Sequence, residues 1–361
     1  MTKSIPAAPE RAWLDVDLGA LVRNARRFEK LAAARLLPMV KANGYGLGAV
    51  AVARALEQVG PWGYGVATVA EGAELRVAGI TRPVVVFTPL IPDTVTVTAT
   101  RSSSLRPVLG DLAALDSWTE SGGGPFHLEI DTGMSRSGFR WHDEESLREL
   151  RRRLRKAPDW EGVFTHFHSA DCDRESTLEQ LVRFQAVLDS FDRRPPLVHL
   201  ANSAAAALDL PMSADLARPG IFLYGGRAGN LEPEPVAKLQ GRVVALRRLR
   251  PGDSVSYGAE AEVAAATTIA TLAIGYGDGV PRSLSGKGLV ELGGAIVPMV
   301  GRVTMDMLML AVEDPSVALG DIATLFGGMV SLDAQAALAE TVSYELLTAV
   351  APRVVRRYQN P

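Results

Sequence analysis

Lys41 closes a short apolar run, Leu37-Pro38-Met39-Val40, and opens Ala42-Asn43-Gly44-Tyr45-Gly46-Leu47-Gly48, in which three glycines stand at alternate positions. Residues 49–56, rich in alanine and leucine, then read as helix. One ammonium is thus set where a buried strand gives way to a loop. A cation there must be paired, solvated or neutralised by a lowered pKa, and a lysine of lowered pKa forms Schiff bases. A loop lysine that snorkels to water is the plain alternative. Asn202-Ser203-Ala204-Ala205 puts an amide and a hydroxyl at a strand-to-helix turn, and Arg218-Pro219-Gly220-Ile221 lets backbone approach a ligand. Free N–H groups at such turns bind phosphate, although read alone these are an N-cap serine and a turn glycine. His166 and His168 stand two apart in an apolar run and would point the same way on a strand. With no third ligand in a supporting pattern, no metal is expected, and hydrogen-bonded core histidines are the ordinary reading. His199, beside the Asn202-Ser203 turn, also reads as structural.

The elements that must position these residues recur regularly. Short apolar runs at 37–40, 62–67, 84–87, 105–109, 126–130, 162–167, 197–200 and 221–224 alternate with helix-length segments such as 49–59, 71–78, 111–121, 144–157 and 178–191. Strands alternating with helices pair in parallel, and eight of them close a (β/α)8 barrel whose chemistry sits at the strand ends. That rule gathers Lys41 after the first strand, Asp131 and Arg136 after the fifth, His166 near the end of the sixth, and Asn202 and Ser203 after the seventh. Arg218 and Gly220 precede the eighth run, so Arg218 joins them only if that strand begins earlier than its apolar run. The expectation is an α/β fold, with an N-terminal (β/α)8 barrel over 1–230 and a mainly β domain over 231–361. The boundary falls in 225–235, which is punctuated by glycine and proline. Beyond it, 243–246, 267–274 and 303–312 read as strands, and 289–292 and 295–297 flank a Gly293-Gly294 hairpin turn. Helical patterning returns only at 333–340 and 344–350. Residues 12–17 alternate like a strand with one wet face, ahead of a helix over 18–34, and this first strand is free to join the second domain.

Composition narrows the partners. A chain of 361 residues exceeds a typical single core, and 47% apolar with 22% charged residues is ordinary for a globular protein. A net charge of -3 gives no general attraction to nucleic acid or acidic lipid. The densest basic run, 148–156, has interleaved leucines and an i,i+4 pair of Glu149 with Arg153, the mark of an amphipathic helix with a solvated face. Residues 1–11 hold no apolar core for a signal sequence, and no run approaches the roughly 18 apolar residues of a membrane span. Cys172, the single cysteine, suits a reducing compartment. A cytoplasmic protein with no nucleic-acid or membrane partner is therefore expected.

Lys41-Ala42-Asn43-Gly44-Tyr45-Gly46 resembles the cofactor-lysine motif of the alanine racemases. The likeness recurs along nearly the whole chain, in His199-Leu200-Ala201-Asn202-Ser203-Ala204, Arg218-Pro219-Gly220-Ile221, Val255-Ser256-Tyr257-Gly258, Gly275-Tyr276-Gly277-Asp278 and Met305-Asp306. The resemblance implies pyridoxal 5'-phosphate held as an imine on Lys41. It implies interconversion of L- and D-alanine by two-base proton transfer at the alpha carbon of a cofactor–substrate imine, between Lys41 and Tyr257 on opposite faces. By the same likeness Tyr45, Ser203, Gly220 and Ile221 hold the cofactor phosphate beside Asn202, His166 lies over the ring and Arg218 faces the ring nitrogen. Arginine keeps its proton at working pH, so it leaves that nitrogen unprotonated and the ring a weaker electron sink. Arg136 faces the substrate carboxylate, Met305 lines the substrate pocket, and Asp171 and Tyr276 line the entrance. In the family the tyrosine comes from the other subunit, which implies a homodimer with shared sites acting on a small amino acid and yielding D-alanine of the kind used in cell walls. At its reference pKa of ~10 only about one tyrosine in a thousand is ionised at neutral pH, a deficit of roughly 4 kcal/mol. A cationic network of His166 and Arg218 is expected to lower it.

Three positions depart from the pattern. Glu129 stands where many relatives carry a lysine that becomes carbamylated; it brings a carboxylate of shorter reach, so its pairing with Arg136 is expected to be indirect. Leu47 replaces a frequent histidine, and Pro352 a usual tyrosine. These changes leave the reaction type intact and bear on substrate preference and cofactor affinity. A racemase of broader specificity, for serine among others, stays open beside alanine. So do a non-catalytic pyridoxal-phosphate-binding barrel, which would not need Tyr257, and a cofactor-free Schiff-base lyase.

Overall fold

The computed structural model describes residues 10–208, 210–212 and 214–360. The chain forms two compact units. Of the described residues, those within Leu21–Glu234 make one, and those up to Ala20 join those from Pro235 onward to make the other.

Strand β1 (Ala12–Asp17) belongs to the second of these. In the first, β2 (Arg35–Leu36), β3 (Tyr64–Val66), β4 (Val84–Pro89), β5 (Arg106–Leu109), β6 (Phe126–Asp131), β8 (Trp160–Phe164), β9 (Leu197–His199) and β10 (Leu216–Ala217) run parallel in the order β2-β10-β9-β8-β6-β5-β4-β3, with the short β7 (Phe139–Arg140) beside β6. Just past β2 the ring closes: Val40 N–H donates to the Gly65 carbonyl and Gly65 N–H to the Pro38 carbonyl, both at 2.8 Å. Eight parallel strands thus make the expected (β/α)8 barrel. Its helices start at polar caps, Thr68, Asp93, Asp111, Asp143 and Asp173, each accepting from the N–H three residues on. Leu37, just past β2, and Val85, Val108, Phe164, Leu197 and Leu216, from five further strands, pack together as core. Lys41, His166 and Arg218 follow within a few residues of the ends of β2, β8 and β10.

The eighth strand differs from expectation. It is Leu216–Ala217, and Ile221–Tyr224 is a buried 3-10 turn. Pro219 has no N–H to offer a ladder, so the strand stops, although its carbonyl still accepts from Met39 N–H at 2.9 Å. The turn is apolar because it packs inward: the Phe222 ring lies 5.7 Å from Phe28, and the Tyr224 hydroxyl donates to the Met39 carbonyl at 2.8 Å. The earlier strand also puts Arg218 at a strand end. The sixth barrel strand stops at Phe164 rather than 167. Gln180 clamps the following loop, accepting from His168 N–H at 3.0 Å and donating to the His166 carbonyl at 3.2 Å. His166 and His168 therefore no longer share a face; the first is half-buried and the second exposed.

In the β unit, β11 (Ala237–Leu249) is long enough to pair with three neighbours, and β12 (Ser254–Val255) with β13 (Ala261–Glu262) form a small ribbon. β14 (Thr267–Leu272), β15 (Leu289–Leu292), β16 (Ala295–Val300), β17 (Leu308–Val312) and β18 (Ile322–Phe326) close a ring with β11 in the order β14-β17-β16-β15-β18-β11, and β1 and β19 (Val355–Gln359) extend it. Gly293 and Gly294, at φ 63° and 79°, make the tight turn between β15 and β16, a conformation glycine adopts at no steric cost.

Phe164→Ala is expected to lower stability by about 3–5 kcal/mol through the cavity it leaves in the barrel core. The reading is a lower urea midpoint at unchanged slope; a loss below about 1 kcal/mol would show that the strands collapse into the gap.

Candidate active site

Lys41 follows β2 and opens an unusual stretch of backbone. Ala42, Asn43, Gly44 and Tyr45 have φ of 52°, 54°, 61° and 53°, one turn of left-handed helix. Such a turn costs roughly 1–2 kcal/mol for each non-glycine residue, so surrounding contacts must hold it. One Glu71 carboxylate oxygen accepts from Ala42 N–H at 2.7 Å, while the other accepts from Ala67 and Thr68 at 2.7 and 3.0 Å. Asn43 Oδ1 accepts from Ala49 N–H at 3.0 Å, and the Tyr45 ring stacks on Tyr224 at 4.4 Å. Glu71 and Tyr224 were not singled out by sequence. The capping box Thr68-x-x-Glu71 was legible, but its reach across to Ala42 was not.

The turned-back Tyr45 meets the loop after β10. Its hydroxyl lies where a β-carbon on Gly220 would be, so only glycine fits. Gly220 N–H donates to the buried Ser203 Oγ at 2.8 Å. Asn202 Oδ1 accepts from Ala204 and Ala205 N–H at 3.1 and 2.9 Å, fixing the turn that presents Ser203. Among the described residues the Ser203 and Ile221 N–H groups have no acceptor. Two hydroxyls and open amides at a barrel mouth make a cradle for an anion.

Arg218 is buried beside it. Its Nη1 donates to the His199 carbonyl at 2.6 Å, and its Nη2 to the Thr165 and Leu200 carbonyls at 2.8 and 3.2 Å. Its guanidinium lies over the Phe164 ring at 5.0 Å. Among the described residues nothing accepts from Nε, which leaves that N–H for a ligand. Burial brings Arg218 down to about 9, so it remains a cation at neutral pH. Burial also lowers Lys41, helped by the charges of Arg136 and Arg218 and opposed by Glu71. His166 falls to about 3, through burial first and then Arg218, Arg136 and Lys41. It is therefore neutral, which corrects the expected cationic pairing of His166 with Arg218: three cations around a half-buried imidazole forbid a fourth. Glu129 is a buried carboxylate of the site, raised by burial despite Ser137 Oγ donating to it at 2.6 Å, and Arg136 Nη2 stands 3.9 Å away, beyond hydrogen-bond distance. No group of three metal-ligand side chains gathers among the described residues.

Known proteins are similar to this chain in sequence and fold. The family described as alanine racemase, N-terminal domain, matches residues 16–228, and the alanine racemase C-terminal domain matches 236–358. The chain belongs to the alanine racemase family. It is 34% identical to alanine racemase 1 of Oceanobacillus iheyensis, over 96% of this chain and 98% of that protein. Its fold is similar to the crystal structure of alanine racemase from Bartonella henselae with covalently bound pyridoxal phosphate, at TM-score 0.90 and 28% identity over 97% of this chain and 100% of the other. It is also similar to alanine racemase from Bacillus anthracis with bound L-Ala-P, at TM-score 0.88 and 30% identity over 98% and 96%.

Asp171 is on an exposed turn after β8. Tyr257, Tyr276 and Met305 are on the β unit, gathered by one loop: Ser256 Oγ donates to the Arg302 carbonyl at 2.8 Å and Tyr276 N–H to the Thr304 carbonyl at 2.9 Å. Tyr257 is 70% exposed and follows Ser256, whose φ is 68°. Of the departures from the racemase pattern, Leu47 is buried and Pro352 exposed.

The unfolded chain protonates His166 near its ordinary value and the folded chain only near about 3. Between those values the unfolded state binds more protons, so stability falls as the pH drops through the interval. His166→Gln is expected to remove a loss on the order of 3 kcal/mol between about pH 7 and about pH 4. Urea unfolding at the two pH values checks this, and an unchanged pH slope in the variant would show that His166 is not the titrating group.

Proposed function

We propose that this chain interconverts L-alanine and D-alanine with pyridoxal 5'-phosphate held on Lys41. The supporting observation is the meeting, at one barrel mouth, of a lysine of lowered pKa, an anion cradle around Gly220 and a buried guanidinium with Nε–H to spare. The residues fit the cofactor, since aldehyde, phosphate and ring nitrogen each find a complementary group. When bound, the cofactor supplies a conjugated ring that acidifies the substrate α hydrogen.

Tyr45, Ser203, Gly220 and Ile221 bind the phosphate. Arg218 would offer Nε–H to the ring nitrogen and keep its own proton, so that the cofactor held there would supply a weaker electron sink. Neutral His166 would pack against the bound cofactor, and Asn202 shapes the turn that presents Ser203. Lys41, readily deprotonated, takes or returns the proton on one face of the α carbon, and Tyr257 of the other subunit serves the opposite face. Arg136 holds the substrate carboxylate, with Glu129 as its counter-charge. Met305 lines the pocket, and Tyr276 and Asp171 its entrance.

The protein acts as a homodimer with shared sites. Tyr257, Tyr276, Met305 and Met307 leave an exposed aromatic and methionine-rich stretch on the β unit, of the kind that a second copy covers. It works in the cytoplasm, where the exposed Cys172 suits a reducing medium, and its D-alanine serves the cell wall. No helix among the described residues is long and apolar enough to cross a membrane.

Lys41→Ala is expected to lose the visible absorbance that borohydride bleaches in the wild type. Tyr257→Phe should keep that absorbance while losing at least about a hundred-fold in both directions of interconversion; unimpaired racemisation would refute the second-base role. Mixing the two variants should restore about one quarter of wild-type activity, because half the dimers are mixed and each carries one intact site. No recovery would place Lys41 and Tyr257 of one subunit in one site. Exchange of the α hydrogen for deuterium should be fastest with D- and L-alanine; faster exchange of L-serine or L-lysine would move the substrate assignment.

A further inference from the structure

A column of polar side chains runs through the barrel beneath Arg218. Arg218 Nη1 stands 3.2 Å from His199 Nδ1, His199 Nε2 stands 2.8 Å from His127 Nδ1, and His127 Nε2 stands 3.2 Å from Glu161 Oε2. Arg106 Nε donates to the same Glu161 oxygen at 2.9 Å. His127 and His199 are fully buried. Glu161 and Arg106 lie at the starts of β8 and β5, the opposite end from Arg218.

Packing does not account for the column. Barrel interiors are ordinarily filled by bulky apolar side chains, and an apolar set of the same volume is no less stable than a buried polar one. The backbone is nevertheless shaped around it. The β6–β8 register jumps between Phe126 opposite Trp160 and His127 opposite Gly162, so Glu161 is an extra residue, and such a bulge re-aims a side chain. A β-carbon on Gly162 would run into the His127 imidazole. His199 is held flat on Phe164, at 4.6 Å and 26°.

The ends of the column fix the direction of every hydrogen bond. Arginine only donates, so His199 Nδ1 must accept, and a neutral His199 then carries its proton on Nε2. That proton goes to His127 Nδ1, so His127 also carries its proton on Nε2 and gives it to the Glu161 carboxylate. Burial keeps both imidazoles below the ordinary histidine value, and the His127 and Arg106 contacts outweigh burial to hold the Glu161 carboxyl below its own. A His199 with its proton on Nδ1 would set N–H against N–H and push Arg218 out of place.

We propose that Glu161 is a positioning residue for Arg218, acting through His127 and His199, each locked as the neutral Nε2–H tautomer. The carboxylate at the base of the barrel thereby guarantees a lone pair beneath Arg218 Nη1, which helps keep Nε pointed at the ligand. The catalytic consequence rests on the role given to Arg218 under the proposed function; the tautomers do not.

The test uses holoenzyme with 15N-labelled histidine. Imidazole 15N–1H correlation spectra should show His127 and His199 neutral and protonated on Nε2. Glu161→Ala should shift the His127 and His199 signals and lower kcat for alanine about ten-fold or more, with KM within about two-fold, because the substrate carboxylate contact is untouched. Glu161→Gln, whose amide oxygen still accepts from His127, should keep both the signals and, within about two-fold, kcat. An Nδ1–H or doubly protonated form of either histidine in the wild type would overturn the proposal, even if Glu161→Ala failed to fold. So would Glu161→Ala with kcat and the His199 signal unchanged. Were the racemase assignment wrong instead, there would be no racemisation to measure in any form, while the wild-type imidazole spectra would still show the expected tautomers.

Discussion

A guanidinium buried in a barrel mouth has to find acceptors that are already in place, and the strand ends supply them. Parallel strands run out at nearly one level, and carbonyls just beyond their last rungs have no further partner in the ladder. Arg218 takes three of these, from Thr165, His199 and Leu200. The charge is thereby fixed without a carboxylate in direct contact, which leaves it available to a ligand. A directly paired carboxylate would have satisfied the same donors and spent the field that the site needs.

The second constraint is backbone handedness. A strand that ended in an ordinary right-handed turn after Lys41 would carry Tyr45 elsewhere. The left-handed turn brings the Tyr45 hydroxyl back against Gly220, within the same mouth as Lys41. Its strain is offset by backbone donors converging on Glu71, by the Asn43 cap and by the Tyr45–Tyr224 stack. Strain held by several independent contacts persists where one contact would let it relax.

Together these features make a cationic site in a chain of net charge -3. Arg136 and Arg218 both act on Lys41, Arg136 also acts on Arg218, Glu129 is a buried counter-charge, and His166 stays neutral among them. The excess positive charge suits ligands that bring phosphate and carboxylate. Burial first, and then this charge, lowers the lysine below its ordinary value, which favours its neutral amine form.

Much of this was written in local sequence. The eight-fold alternation of strands and helices specified the barrel, the Gly293-Gly294 pair specified a hairpin, and residues such as Lys41, Ser203 and Tyr257 were recognisable from their immediate neighbours, because turn chemistry and two-residue periodicity act over a few positions. Where local preference and packing disagreed, sequence misled: Ile221–Tyr224 looked like a strand because it is apolar, and Thr94–Ser102, rich in β-branched residues, is a helix that no apolar period announced. The neutrality of His166, the reach of Glu71 to Ala42 and the column from Glu161 to Arg218 belong to tertiary structure alone. Each depends on groups many residues apart being brought within a few ångströms in a water-poor interior, where charge and hydrogen-bond direction are decided by whichever neighbours the closed barrel supplies.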